Sequence, residues 1–436
     1  MSELYLRIFK NKSELVLPDG TVQVFLEGGV NQAAKQRYQN IIPALSNGYL
    51  ERQILICRDT ASVLDFSQLS QSHIELLNKI VQSVTSETGR AIVGLTVIQL
   101  CIKAIEPAQS IRLHKGNNGA KDFSWSEGIS MRSLDKKYIS PILRKYDLLK
   151  MNADGGMMTR TFAENYPYSS LYKAQIRGAR LEWLDIVEAI EKNEIQPEVA
   201  LRYLISQLIN QASNFRDLAS RTLESLKVFL EKTENLDREY TTQIILQHIN
   251  RSDYAARIME IAMHSLMQAI QEYQVFPDLF LKPISQMRSA NKKHGNIGDI
   301  ELLENRQIVE SWDAKYGKTY LRDEIEEIAD KLEVHTAVVK AGFVTSVEPE
   351  RLEELKPRCR EIEEDFGISL EIITFKNWVE EQFSRGVAEG IVTEEELASA
   401  WLTAYAESLA QRRREIAPID EPCYQWLTTL KEILSS

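Results

Sequence analysis

The chain holds 436 residues, 44% of them hydrophobic, and carries a net charge of −11. A single core rarely grows beyond roughly 250 residues, so this length excludes one small domain and implies two or three packed ones. The four cysteines, Cys57, Cys101, Cys359 and Cys423, are scattered with no C-x-x-C or Cys/His pair at ligand spacing. That argues against a disulfide framework and against structural zinc, and points to a reduced, cytoplasmic compartment. Charges interrupt the N-terminus (MSELYLRIFKNKSEL) wherever a leader would need an apolar run, and no stretch of about 18 apolar residues occurs, so a soluble protein without a membrane partner is expected.

The first region, 1–115, mixes strand-like pieces (TVQVFL and ERQILICRD) with a buried helix from Ala91 to Ile105 that stops at Glu106-Pro107, an α+β pattern. Gly116 to Gly128 is Gly-rich and polar and marks a boundary. From 116 to 250 the chain reads as mainly helical. Ser130 or Ser133 caps a helix whose stripe is Leu134, Tyr138, Ile142 and Leu143, interrupted by Pro141. Two more helices follow between Glu182 and about Glu231.

An acidic chain is an unpromising binder of phosphates, yet Arg112 to Arg180 carries 13 Lys/Arg against 6 Asp/Glu. Within it Arg132, Lys136, Arg160, Tyr168, Lys173 and Arg177 interleave bases and aromatics in the manner of a nucleic-acid surface, where Arg forks onto phosphates or guanine edges. The alternative is a surface helix with its tyrosines packed at the base.

A helix is expected from Asp253 to Tyr273, with Met259, Met263 and Met267 as core packing, followed past Pro277 by strand-like LKPISQM. The runs IELL and QIVESWDAK then flank Glu304-Asn305-Arg306, a hairpin pattern. Side chains alternate along a strand, so Asp313 and Lys315 share one face and Trp312 and Ala314 the other. A turn about Asn305 sets Asp299 opposite Ser311, one diagonal step from Asp313. Two carboxylates this close repel unless a divalent cation lies between them, and hard oxygen donors of this kind suit Mg²⁺. With a lysine alongside to orient water, the chemistry is phosphodiester hydrolysis. Lys292 and Lys293 belong to a phosphate-contacting rim, and His294 is a candidate for phosphate contact or proton transfer, although a loop histidine is more often structural. Glu310 is an additional acidic candidate that needs a bulge to leave the Trp312 face.

Asp299, a gap and then Asp313-Ala314-Lys315 resemble the catalytic signature of the PD-(D/E)XK nucleases, with Gly298-Asp299 where the family has Pro-Asp. The order that follows is also similar: an amphipathic helix at Tyr320–Leu332, a strand in AVVKAGFVTS, a charged helix at Glu350–Asp365 and a strand in ISLEIITF. The segment SMRSLDKKYISPILRKYDLLKMNADGGMMTRTFAENYPY looks more loosely like a DNA-recognition part of restriction enzymes. The resemblance implies an α/β fold with a mixed-sheet nuclease core at 251–390, a DNA-recognition region at 116–250 and a C-terminal helical segment at 391–436. It further implies Mg²⁺ held by Asp299, Asp313 and the Ala314 carbonyl, and a helical acid for which Glu260 is the candidate. The expected activity is that of a homodimeric type II restriction endonuclease cutting double-stranded DNA to 5′-phosphate ends, with a cognate methyltransferase as functional companion. A repair or recombination nuclease of the same core and an inactive DNA-binding protein are the alternatives.

Overall fold

The computed structural model describes residues 4–59, 64–85, 87–114, 125–149, 167–172, 178–234, 236–284, 296–415 and 422–436, without the side chains of 85, 87–90 and 412–415. Its chain divides into two compact units, Met1–Phe215 with Ala417–Glu421, and Arg216–Ile416 with Pro422–Ser436. The sequence suggests limits near 115, 250 and 390 instead. The division falls inside one helix of 36 residues, Pro197–Lys232, whose interior has no Gly or Pro to mark it.

In the first unit β1 (Tyr5–Ile8), β2 (Lys12–Val16) and β3 (Val22–Leu26) form an antiparallel sheet. Its inner face packs Leu15 and Phe25 on Leu113 and Trp125. Then come α1 (Gln32–Ser46), α2 (Tyr49–Asp59), α3 (Gln71–Gln82) and α4 (Glu87–Ile105). The segment ERQILICRD is thus helix, not strand: Leu50, Gln53, Ile54 and Cys57 are its buried residues, a spacing of three and four that a helix serves and a strand does not. Ile92, Val93, Leu95, Val97 and Ile98 of α4 are all fully buried, as the apolar run requires. The expected helix after Ser130 is broken into α5 (Met131–Leu134), a π turn (Asp135–Ile139) and α6 (Ser140–Lys145), with Pro141 accommodated in the first turn of α6. The extra residue of the π turn makes Leu134, Ile139 and Leu143 the buried stripe. α7 (Arg180–Glu191) and α8 (Pro197–Lys232) follow.

The second unit opens with α9 (Arg238–Asn250) and α10 (Ala255–Glu272), then β4 (Phe280–Leu281), β5 (Ile300–Glu304), β6 (Gln307–Lys315), α11 (Arg322–Leu332), β7 (Lys340–Thr345), α12 (Leu352–Phe366), β8 (Ser369–Thr374) and α13 (Phe375–Val387). Helices α14 (Glu394–Glu415) and α15 (Cys423–Ser435) complete it. The strands form one mixed sheet in the order β4-β5-β6-β7-β8, antiparallel from β4 to β6 and parallel from β6 to β8. The fold is therefore mixed α/β. Ile325, Ile328 and Leu332 of α11 and Leu355 and Ile362 of α12 pack with Ala341, Phe343 and Leu370 of the sheet. The other β6 face carries Trp312, which meets Trp378 of α13 edge-on at 6.1 Å between ring centroids. α10 lies against β4, β5 and β6 and against α14. No helix among the described residues is long and apolar enough to cross a membrane.

Candidate active site

The hairpin between β5 and β6 decides which side chains meet. Asn305 and Arg306 both have positive φ, 50° and 70°, so the turn has two residues and pairs Glu304 with Gln307. Continued without interruption, that register would set Asp299 across from Trp312, on the wrong face. The register instead slips after Leu303: Leu302 pairs with Glu310, and Val309 is the extra residue of a bulge. Beyond it Glu301 faces Ser311 and Ile300 faces Trp312, so that Asp299, just ahead of β5, comes to Asp313. The Asp299 N–H donates to the Trp312 carbonyl at 2.9 Å, and the Ala314 N–H donates to Asp299 Oδ2 at 3.1 Å. Gly298 leaves no room for a side chain, since a Cβ there would lie 2.7 Å from both Ser311 Oγ and the Trp312 carbonyl oxygen.

Lys315 Nζ lies 2.7 Å from Asp313 Oδ2 and 5.9 Å from the centre of the Phe343 ring. The Asp299 carboxyl is pushed well above the ordinary carboxylate range, by burial first, then by the charges of Glu260 and Asp313 and a hydrogen bond with Asp313; only the Ala314 N–H opposes. Glu260, on α10, is thereby brought into the same electrostatic cluster, and its carboxylate pairs with Arg257 one turn earlier. Asp299 and the pair Asp313 and Lys315, predicted from two separate places in the chain, thus meet, with Glu260 from a third close enough for its charge to act on Asp299. Among the described residues, no three His, Cys, Asp or Glu side chains form a ready-made metal cage.

No protein-family model matches this chain, and no curated protein matches it.

Sequence reasoning misses Glu301. Its side chain is fully buried and accepts from Lys282 Nζ at 2.6 Å, from the Ile297 N–H at 2.6 Å and from the Gly298 N–H at 3.3 Å. Lys282 also donates to Asn296 Oδ1 at 2.7 Å, and Lys331 Nζ to the Ile297 carbonyl at 2.9 Å. These bonds fix the segment that delivers Asp299. Its period-two spacing from Asp299 is the signal that points to it.

Other predicted residues fall elsewhere. Glu310 stays on the Trp312 face, because the bulge precedes it and alternation resumes from Glu310 onward. There it accepts from Trp312 Nε1 at 2.7 Å and from Arg385 at 2.8 and 2.9 Å, a closed ion pair and not a metal ligand. Tyr168 is 1% exposed, packed edge-on against Tyr172 and Trp183 at 5.3 and 5.0 Å, so it is core and not a DNA-facing ring. In the first unit Arg132 is half-buried in α5 and Lys136 is exposed in the π turn. Arg160, Lys173, Arg177, Lys292, Lys293 and His294 lie outside the described residues.

Proposed function

We propose that this protein is a Mg²⁺-dependent endonuclease acting on double-stranded DNA, of the type II restriction class and with a PD-(D/E)XK-like core. The observation that carries the proposal is the convergence of Asp299 and Asp313, with Lys315 on the strand of Asp313, where β5 begins and β6 ends. The mixed sheet, with two antiparallel strands bearing the acids and helices on either side, supports it as the scaffold such a core needs.

A divalent cation fits the donor set. Asp299 lies buried beside two other acids, and a hard cation relieves the repulsion that drives its carboxyl upward. Asp299 and Asp313 would hold it. The Ala314 carbonyl leaves β6 on the same edge as its N–H, which already meets Asp299, and would be a further ligand. Mg²⁺ is commonly held by one or two carboxylates with water and substrate phosphate, so no larger cage is needed. When bound, the cation supplies charge neutralisation at the phosphate and a more acidic water.

The chain's own residues do the rest. Lys315, held by Asp313, aligns the attacking water and accepts a hydrogen bond from nothing, so it acts as a donor that fixes the water's oxygen toward phosphorus. Water oxygen bonds to phosphorus, the bond to O3′ breaks, and a proton ends on O3′, leaving 5′-phosphate and 3′-hydroxyl ends. Cutting both strands of a symmetric site calls for a twofold dimer. The basic segment Arg112–Arg180 is the proposed base-reading part, with Arg132 and Lys136 among its cations, and a cognate methyltransferase is the proposed companion in a cytoplasmic restriction system.

The test is digestion of plasmid and branched DNA side by side with Mg²⁺. Discrete plasmid fragments are expected from the wild type, and loss of cleavage with retained DNA binding from Asp299→Ala and Lys315→Ala. Nicking only at branches would make it a repair nuclease, and binding without cleavage an inactive DNA-binding protein.

A further inference from the structure

We propose that the groove between α8, α9 and α15 of the second unit holds the phosphodiester backbone of the duplex that flanks the cleaved bond, with Arg221, Lys232 and Lys431 meeting its phosphates. The inference rests on the nuclease reading above and deepens it.

The groove has a volume of about 790 Å³, and its lining holds three cationic side chains, Arg221 and Lys232 of α8 and Lys431 of α15, against one acidic side chain, Glu224. That reverses the balance of a chain with 52 Lys/Arg against 63 Asp/Glu. Neighbouring cations are spent on carboxylates: Lys227 on Glu231, Arg238 on Glu380 and Arg251 on Glu432. Among the described residues nothing engages the side chains of Arg221, Lys232 or Lys431 in an ion pair or hydrogen bond. On α8, Arg221, Ser225, Val228 and Lys232 recur at spacings of four, three and four, so the two cations stand on one helix face nearly three turns apart. Cations left free along an open channel are what counterion release at a phosphate backbone requires.

The shape suits a duplex better than a small ligand. Val228 and Tyr240, both in the lining, remain 41% and 44% exposed, whereas a small-molecule pocket buries most of its ligand against covered apolar walls. The groove also leads to the acids. Tyr240, Gln243 and Gln247 line it from α9, and Asn250 continues the same helix face at spacings of three, four and three. Asn250 Oδ1 lies 3.5 Å from the hydroxyl of Tyr316, the residue after Lys315. From Tyr240 to Asn250 the helix rises about 15 Å, and a DNA strand advances about 3.4 Å per base pair, so the groove meets phosphates about five base pairs from the one cut.

The decisive measurement is the salt dependence of DNA binding by the full chain, with Ca²⁺ in place of Mg²⁺ to prevent cleavage, on a duplex that the wild type cuts, once with long flanks and once with flanks trimmed inside the five base pairs. Each phosphate contact contributes about 0.9 to the slope of log K against log salt, so replacing Arg221, Lys232 and Lys431 together by Gln is expected to reduce the slope on the long duplex by about 2.7. Trimming is expected to reduce the wild-type slope by a similar amount and to leave that of the triple variant unchanged. Glu224→Gln, which removes the acid of the groove, is expected to tighten binding of the long duplex about threefold at low salt, the effect of one exposed charge. A triple variant with the wild-type slope, or trimming that weakens variant and wild type alike, overturns the proposal. A wild type that cuts no DNA overturns the nuclease reading itself, a result distinct from either.

Discussion

The two faces of β6 carry the same kinds of residue and do opposite things. On one, Glu310 is buried and met by three donors, from Arg385 twice and from the Trp312 indole. On the other, Asp299 is met by one backbone N–H, shares a hydrogen bond with Asp313 and is crowded by the charges of two further acids. A buried acid whose charge is fully answered holds a fold together. An acid left short of donors and crowded by its own kind holds free energy that a ligand can release, and strongly perturbed carboxyls are for that reason candidates for function.

Exchanging the fates of these two acids is the strongest way to break the comparison. Glu310→Ala strands the Arg385 guanidinium and is expected to cost about 3 to 5 kcal/mol in urea unfolding, with cleavage per folded molecule retained. Asp299→Asn is expected to leave the unfolding midpoint level or raised, because it removes repulsion, while cleavage falls at least ~1000-fold. Equal loss of stability in both variants would show that the two faces are not distinct in kind.

A third buried group sharpens the point through pH. His248 is neutral and satisfied: Nε2 donates to the Trp426 carbonyl at 2.8 Å, and the Tyr405 hydroxyl donates to Nδ1 at 2.6 Å. Burial lowers its pKa to about 4, with Arg251 adding to the effect against the Trp426 bond. The unfolded chain, with an ordinary histidine near 6.5, binds the proton first, so stability is intact above that pH and declines as pH falls toward about 4. The loss attributable to His248 reaches about 3 kcal/mol. Unfolding curves across this window should steepen in the wild type relative to His248→Gln, and matching curves would remove His248 as the cause.

The smallest expected effect is at Gly298. Gly298→Ala forces a methyl against Ser311 and the Trp312 carbonyl. Overpacking of this sort costs about 1 to 3 kcal/mol, and because Asp299 is the next residue, cleavage should fall further than stability. Cleavage and unfolding measured on the same preparation separate the two, and an unchanged rate would mean the segment relaxes without moving Asp299.

Periodicity made much of the second unit legible in the sequence. The alternation in QIVESWDAK places Asp313 and Lys315 together, and α10, α11, β7, α12 and β8 lie where their apolar spacing puts them. For the meeting of Asp299 with Asp313 the sequence suggests a longer turn and no bulge, where the structure has a two-residue turn and the bulge at Val309. Both keep the same parity of facing, which is why the neighbours agree. Facts that depend on distant chain were not legible. The partner that claims Glu310 is 75 residues away, and Tyr168 sits among bases in sequence but against Trp183 in space. In α2 the run Ile54-Leu55-Ile56 suggests a strand, and only the wider spacing from Leu50 to Cys57 reveals the helix.

The Val309 bulge limits how this chain can be edited. Removing or adding one residue anywhere between Ile300 and Trp312 turns Asp299 toward the tryptophan side of the sheet, whereas changes of two residues restore its direction. Length variants of the hairpin should therefore retain or lose the site according to whether the change is even or odd, much as a reading frame survives only certain insertions.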